Sequence, residues 1–196
     1  MNEMFNDLLA ALEPVVEAFS RLGVAYYLGG SAVSSNYGVA RSTLDVDLVA
    51  DLSAEHVVPL VNALKSDYYI EQRAVVEAVA RKVCFNAIHL PTSFKVDIFT
   101  VKGRPYDYVV LQRIREDSLD DAESAKKFFQ ASPEDIILAK LEWYRLGDEV
   151  SERQWGDVLG VMKVQQHLLD RVYLEQWADD LGVVDLLRKA WCEAES

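Results

Sequence analysis

Three short stretches carry groups that could do chemistry together. They are Gly29-Gly30-Ser31, then Asp45-Val46-Asp47 after a spacer of thirteen residues, and the distant Asp97. Asp45 and Asp47 lie in TLDVDLVA, an alternating run that reads as a strand. Residues i and i+2 of a strand point to one face, roughly 6.6 Å apart at about 3.3 Å per residue. The two carboxylates therefore share a face, while Leu44, Val46 and Leu48 point the other way. Such neighbours repel, and burial raises the cost. Protonation relieves it, and so does a divalent cation such as Mg²⁺, which takes hard oxygen ligands and keeps waters or substrate phosphates in its shell.

Asp97 sits in the middle of FKVDIFTV, a second strand-like run whose Val96 and Ile98 should face the core. If the two strands are neighbours, three carboxylates converge. Such a set could hold two metals about 3.5–4 Å apart, the arrangement that clamps attacking and leaving oxygens in phosphoryl transfer. Gly29 and Gly30 let backbone approach a ligand, and Ser31 opens a helix whose N-terminal N–H groups and partial positive charge suit a phosphate. Each signal has an ordinary reading: one wet face of an antiparallel sheet for the acids, a plain turn for the glycines. The order of events is more specific than its parts: strand, Gly-Gly-Ser, short helix, strand with Asp-x-Asp, later strand with Asp.

The elements that must position these groups follow from periodicity. Phe5, Leu8, Leu9, Leu12, Val15, Val16, Phe19 and Leu22 recur at helical spacing, with a kink expected at Pro14 and a C-cap at Gly23. VAYYL reads as a strand, SAVSSNY as a short helix ended by Gly38, and Ser53 as the cap of a helix reaching Leu64. AVVEAVARK reads as a helix, and CFNAIHL and FKVDIFTV as a hairpin joined by PTS. In SPEDIILAKLEWYRLG, Ser132 is an N-cap, Pro133 the first helical residue, and Gly147 the stop. Further helices are expected over 153–166, 169–181 and 183–195. The expected class is α+β: a mixed-sheet core with flanking helices over 1–115, then a helical region over 116–196 packed on it.

Composition bounds the function. The 196 residues, 51% of them hydrophobic, suffice for one sizeable core or a core with a helical layer. A net charge of −12 gives no bulk footprint for nonspecific nucleic-acid binding, though a local basic groove stays open. The two cysteines, Cys84 and Cys192, are far apart and fit reduced thiols in a cytoplasmic protein. The acidic N-terminal segment has no basic n-region, and no apolar run is long enough to span a bilayer, so neither a signal peptide nor a membrane partner is expected.

With these motifs assembled, the chain resembles the nucleotidyltransferase superfamily with a polymerase-beta-like fold, whose signature is Gly-Ser, a spacer, Asp-x-Asp and a distant Asp. It is most similar to the AbiEii-type group associated with toxin–antitoxin and phage-defence systems, through GGSA, RSTLDVD, KVDIF and SPEDIILAKLE, over roughly Tyr26 to Gly160. The resemblance implies transfer of a nucleoside monophosphate from an NTP to an acceptor hydroxyl, with two Mg²⁺ or Mn²⁺ ions. Asp45 and Asp47 would bind both ions; Asp97 would bind the acceptor-side ion and take the hydroxyl proton. Gly29, Gly30 and Ser31 would hold phosphates, and Arg41, Thr43 and Lys140 would contribute to the NTP site. The spacer is longer than in compact small-molecule members, and Ala32 stands where those carry an Arg.

Several positions carry two readings. Arg41 meets a triphosphate or is a solvated loop charge. Lys140 reaches a phosphate or nucleobase, or its stem covers core; Asp157 matches a later family acid or is a helix-face acid. Lys95, on the face of Asp97, pairs with a phosphate or with that aspartate, and Phe99 lines a pocket or packs. Tyr37 could stack on a base. His89 reads as structural, and Trp155, Trp177 and Trp191 as core. The acceptor remains open among RNA, protein and small molecule, with an antitoxin protein as a further partner. The alternative function is a non-catalytic nucleotide-binding or protein-interaction module of the same fold.

Overall fold

The structure is a computed structural model that describes residues 2–38, 45–119 and 126–195. Its first half contains α1 (Asn2–Leu22), β1 (Tyr26–Leu28), α2 (Gly30–Tyr37), β2 (Asp45–Ala50), α3 (Ala54–Leu64), β3 (Tyr68–Tyr69), α4 (Gln72–Arg81), β4 (Cys84–His89) and β5 (Lys95–Thr100). Its second half contains α5 (Pro105–Arg113), β6 (Arg115–Ser118), β7 (Lys127–Gln130), α6 (Pro133–Leu146), α7 (Glu152–Gln165), α8 (Arg171–Asp180) and α9 (Val184–Ala194). The class is α+β with mixed strand pairing, as expected. No helix among the described residues is long and apolar enough to cross a membrane.

The chain divides into two compact units, Met1–Leu28 with Thr43–Leu111, and Gly29–Ser42 with Gln112–Ser196. In the first unit the strand order is β3-β4-β5-β2-β1. The β2–β5 pair is parallel, and the β1–β2, β3–β4 and β4–β5 pairs are antiparallel. Burial alternates along β2, with Val46, Leu48 and Ala50 fully covered and the residues between them half-exposed. Val96 and Ile98 of β5 and Phe85 and Ala87 of β4 continue the covered face. Helix α1 packs on β2 and β5, α4 packs on β4, and α3 packs on α1 and α4. Each large aliphatic side chain taken from water there contributes about 1.5–3 kcal/mol. One sheet face is thus committed to the core, and its period-two partner residues are left to do something else.

Helix α1 runs through Pro14 without a break in its span. The hairpin expected between β4 and β5 forms. Its turn places Ser93 at φ 58°, and Nδ1 of His89 lies 2.8 Å from the Thr92 hydroxyl, so His89 is structural as read from sequence.

The second unit collects α2, the β6–β7 hairpin and α6 to α9. Helix α6 packs on α2, α7 and α8, and α7 also meets α2 and α9. The approach of α2 to α7 explains Gly38: a Cβ there would lie 2.8 Å from the backbone N of Val161 and 2.9 Å from the carbonyl carbon of Gly160. Both are backbone atoms that cannot rotate away. Ser132 caps α6 by accepting from the Asp135 N–H at 3.2 Å, with Pro133 opening the helix and Gly147 closing it.

Candidate active site

The acid motif lies on the second face of the first unit's sheet. In the β2–β5 register Asp47 is opposite Asp97 and Asp45 is opposite Lys95. In the β4–β5 register Asn86 is opposite Asp97 and Cys84 is opposite Phe99. Residues directly across a ladder share a face. Asp45, Asp47, Lys95, Asp97 and Asn86 therefore form one polar cluster across three strands, with Phe99 and Cys84 beside it. The neighbour relation on which three-acid convergence depended is present, because β2 and β5 pair in parallel with the two aspartates in step.

Within the cluster, Asp97 has two described side-chain partners. Lys95 Nζ lies 2.6 Å from its Oδ2, with the lysine side chain 42% exposed and the aspartate 11%. Asn86 Nδ2 donates to Oδ1. The ammonium of Lys95 is held above its usual pKa, first by the hydrogen bond to Asp97 and then, against some desolvation, by the charges of Asp97, Asp45 and Asp47. The Cys84 thiol is pushed up to about 12, chiefly by burial and next by the negative charge of Asp97 and Asp47. Both shifts carry a contribution from the negative charge of this face, which ranks behind burial for the thiol and behind the hydrogen bond for the lysine.

That charge is the test of whether a divalent ion suits the site. The donor set is hard carboxylate oxygen, and a side-chain cation already rests on it. Such chemistry fits Mg²⁺ or Mn²⁺. Among the described residues no three His, Cys, Asp or Glu side chains are gathered into a ready ligand set. Lys95 and Asn86 occupy the oxygens of Asp97, so ion binding requires the lysine to yield.

The other candidates belong to the second unit. Gly29 is the N-cap residue of α2 and has no side chain to offer the first turn's N–H groups. Gly30 adopts φ 58°, the left-handed region that a side chain would strain. Ser31 lies in the first turn, its carbonyl accepting from the Ser34 hydroxyl at 3.2 Å. Lys140 is buried and its Nζ donates to Asp157 Oδ2 at 2.7 Å, with 9% and 11% of the two side chains exposed. The lysine stem covers core, and the head is paired within the unit. Tyr37 is also buried, its hydroxyl without a hydrogen-bond partner among the described residues, and burial raises its pKa. Arg41 and Thr43 lie outside the described residues.

Sequence reading missed Asn86. Its position opposite Asp97 depends on the β4–β5 register, which the turn sets and which composition does not reveal. The only local signal was a polar residue alternating with Phe85 and Ala87 in a strand-like run.

Neither a family model nor a curated protein matches the sequence. Solved structures do. The chain is similar to the antibiotic-resistance factor ANT(2'')-Ia at 14% identity and a TM-score of 0.53, over 96% of this chain and 95% of that one. It is also similar to an antigenic nucleotidyltransferase-like protein from Paracoccidioides brasiliensis at 15% identity and a TM-score of 0.54, over 91% and 92% of the two chains. At these identities the likeness speaks for the fold alone, which this chain shares with those two proteins.

Proposed function

We propose that the chain is a metal-dependent nucleotidyltransferase that moves an NMP from an NTP to an acceptor hydroxyl. The observation carrying this reading is the in-step pairing of Asp47 with Asp97 across parallel strands, with Asp45 on the same face. Asp45, Asp47 and Asp97 would hold two Mg²⁺ or Mn²⁺ ions, whose charge offsets that developing on the transferred phosphoryl group. The resemblance supports Gly29, Gly30 and Ser31 as phosphate contacts, with Arg41, Thr43 and Lys140 as the remaining proposed NTP contacts. Asp97 takes the acceptor's hydroxyl proton as the new O–P bond forms and the α–β phosphoanhydride breaks, releasing pyrophosphate. Positioning supplies most of the acceleration, since the protein forms no covalent bond to the substrate.

The acceptor is RNA, a protein hydroxyl or a small molecule. That one structural neighbour is an antibiotic-resistance factor supports the small-molecule arm. The resemblance to the AbiEii-type group supports a toxin role in a two-protein system, with an antitoxin encoded beside this chain. The second reading, a non-catalytic binding module of the same fold, is favoured by one observation: Lys95 occupies Asp97 where a metal ligand is wanted.

The test incubates the protein with each α-labelled NTP, Mg²⁺ or Mn²⁺, and total RNA, lysate protein or pooled aminoglycosides, beside the Asp45→Ala/Asp47→Ala variant. Label entering one acceptor class, and absent from the variant, establishes the transfer and names the acceptor. Folded protein that binds metal–NTP but labels nothing favours the binding module.

A further inference from the structure

The polar cluster of the first unit's sheet gives way to an uncharged row one step along the strands. Tyr27 lies opposite Val49, Val49 opposite Phe99, and Phe99 opposite Cys84, so the row crosses β1, β2, β5 and β4. Val49 follows Asp47 by two residues, Phe99 follows Asp97 by two, and Cys84 precedes Asn86 by two. The row and the acids therefore share a face, roughly 6.6 Å apart at about 3.3 Å per residue. All four members of the row are half-buried. Their neighbours Tyr26, Leu48, Ile98 and Phe85 point to the other face and are at most 5% exposed. A sheet face turned from the core is ordinarily polar; this one is polar at the acids and apolar beside them.

Resting on the nucleotidyltransferase reading above, we propose that Tyr27, Val49 and Phe99 form the floor of the acceptor subsite, and that the acceptor is a neutral small molecule with a flat apolar face beside its reacting hydroxyl. Asp97 is the acid proposed to take the hydroxyl proton, so the atoms attached to that hydroxyl lie close to it. Along β5 the same-face neighbours of Asp97 are Lys95 on one side, paired with it, and Phe99 on the other. The body of the acceptor therefore extends over Phe99. A ring laid on Phe99 gains offset stacking beyond the area it removes from water. The row supplies no carboxylate to the ammonium groups of a polycation and no Lys or Arg to the phosphates of RNA. The nucleobase of the NTP is the competing occupant, and the experiment separates the two.

The probe is benzyl alcohol, an aromatic ring with a hydroxyl one carbon away. Its proton relaxation is read by NMR with the protein and Mn²⁺, with Mg²⁺ as the diamagnetic control, in the wild type, Phe99→Ala, Phe99→Tyr and Asp47→Asn. Mn²⁺ binding is measured separately by paramagnetic resonance. Relaxation by Mn²⁺ falls steeply with distance, so a probe seated with its hydroxyl at the acids shows faster relaxation of its methylene than of its ring protons. Phe99→Ala should lower that enhancement about three- to tenfold, the scale of a lost aromatic contact, at unchanged Mn²⁺ affinity. Phe99→Tyr should keep it. With Mg²⁺, saturation transfer to the probe should survive an excess of a non-hydrolysable ATP analogue. Mn²⁺ bound without methylene enhancement, or enhancement that Phe99→Ala leaves intact, overturns the acceptor floor and leaves the metal site standing. So does label entering RNA or an aminoglycoside, in the transfer assay above, at a rate that Phe99→Ala does not change. Displacement of the probe by the ATP analogue but not by tripolyphosphate gives the row to the nucleobase and overturns the proposal too. Mn²⁺ binding that Asp47→Asn does not weaken, or none in the wild type, overturns the metal reading and the floor with it. If Phe99→Ala does not fold, Phe99→Leu removes the flat ring at similar volume and reads the same loss.

Discussion

The first unit's acidic face and the start of α6 in the second unit both gather carboxylates, and they handle them in opposite ways. Glu134 and Asp135 are only 3% and 2% exposed, deeper than any acid on the β2–β5 face. Each oxygen there meets a donor held in place by the fold. Asp135 accepts from the Tyr173 hydroxyl at 2.6 Å and the Ser132 hydroxyl at 2.7 Å. Glu134 accepts from the Asp170 N–H at 3.0 Å and from Arg113 at 3.4 Å, and the Arg113 guanidinium lies 3.8 Å above the Tyr173 ring. On the β2–β5 face the Asp97 carboxylate meets a long, half-exposed lysine. Buried acids satisfied by fixed donors tie α6 to α8 and the chain before it. The Asp97 carboxylate is instead held by a side chain that solvent reaches. Depth of burial alone would rank the α6 acids above the face that we propose as the active site.

The largest expected effect breaks the comparison from the first unit's side. In the proposed role, Asp47→Ala removes a metal ligand and should lower transfer by more than about 100-fold, beyond the usual loss at an outer-shell partner. Its thermal midpoint should stay within about 2 °C of wild type, because removing one of several neighbouring acids at a half-exposed position costs little. Calorimetry beside the label-transfer assay reads both. Retained transfer would end the metal assignment.

The mirror experiment is Asp135→Ala. It strips the Tyr173 and Ser132 hydroxyls of their acceptor inside a dry network and should cost about 3 kcal/mol in urea unfolding. The fraction that remains folded should keep wild-type Mn²⁺ affinity. An Asp135 variant that keeps its stability but loses metal binding would reverse the roles given to the two clusters.

How much of this was legible without coordinates follows the same division. The shared face of Asp45 and Asp47 is a consequence of period two, and Leu48 and Val46 on the other side made it visible. The SPEDIILAKLE helix start was visible too, since Ser132, Pro133 and Asp135 each have a position-specific backbone preference. What those acids were for was not visible: beside the local Ser132 hydroxyl, Glu134 and Asp135 meet Asp170, Tyr173 and Arg113, all far away in sequence. The β6–β7 hairpin escaped because REDS and KFFQ are four-residue strands, and REDS is polar throughout. Helix α5 escaped because PYDYVVLQR is short and carries no strong apolar stripe. The grouping of α2 with the second unit has no local signal at all. It depends on Gly38 admitting the backbone of Gly160 and Val161.

A pH titration sharpens the contrast further. Burial, reinforced by the charge of Asp135, raises the Tyr173 pKa above the ordinary 10.0. The folded state therefore holds that proton more tightly than the unfolded chain. Its contribution to stability is complete below pH about 10 and is lost as pH climbs beyond it. Tyr68 is raised in the same direction, mainly by burial, so alkaline destabilisation is shared. Tyr173→Phe should flatten the fall in stability above pH about 10 without removing it. A slope identical to wild type would mean that Tyr173 is not a donor to Asp135 in solution.

The smallest effect probes the acidic face through a neighbour that takes no part in its proposed chemistry. Cys84 is held as a thiol by burial first and by Asp97 and Asp47 second. At pH 8 it should alkylate far more slowly than Cys192, which is exposed. Asp47→Asn removes only the third-ranked cause, so Cys84 should react faster by less than about threefold, a shift of a fraction of a pKa unit. Cys192, which is exposed, serves as the internal standard. A large acceleration would mean that charge, rather than burial, governs the thiol, and that the face is more electronegative than its half-exposed side chains suggest. No acceleration would mean that the charge of Asp47 does not reach the thiol, and that burial and Asp97 hold it protonated without help.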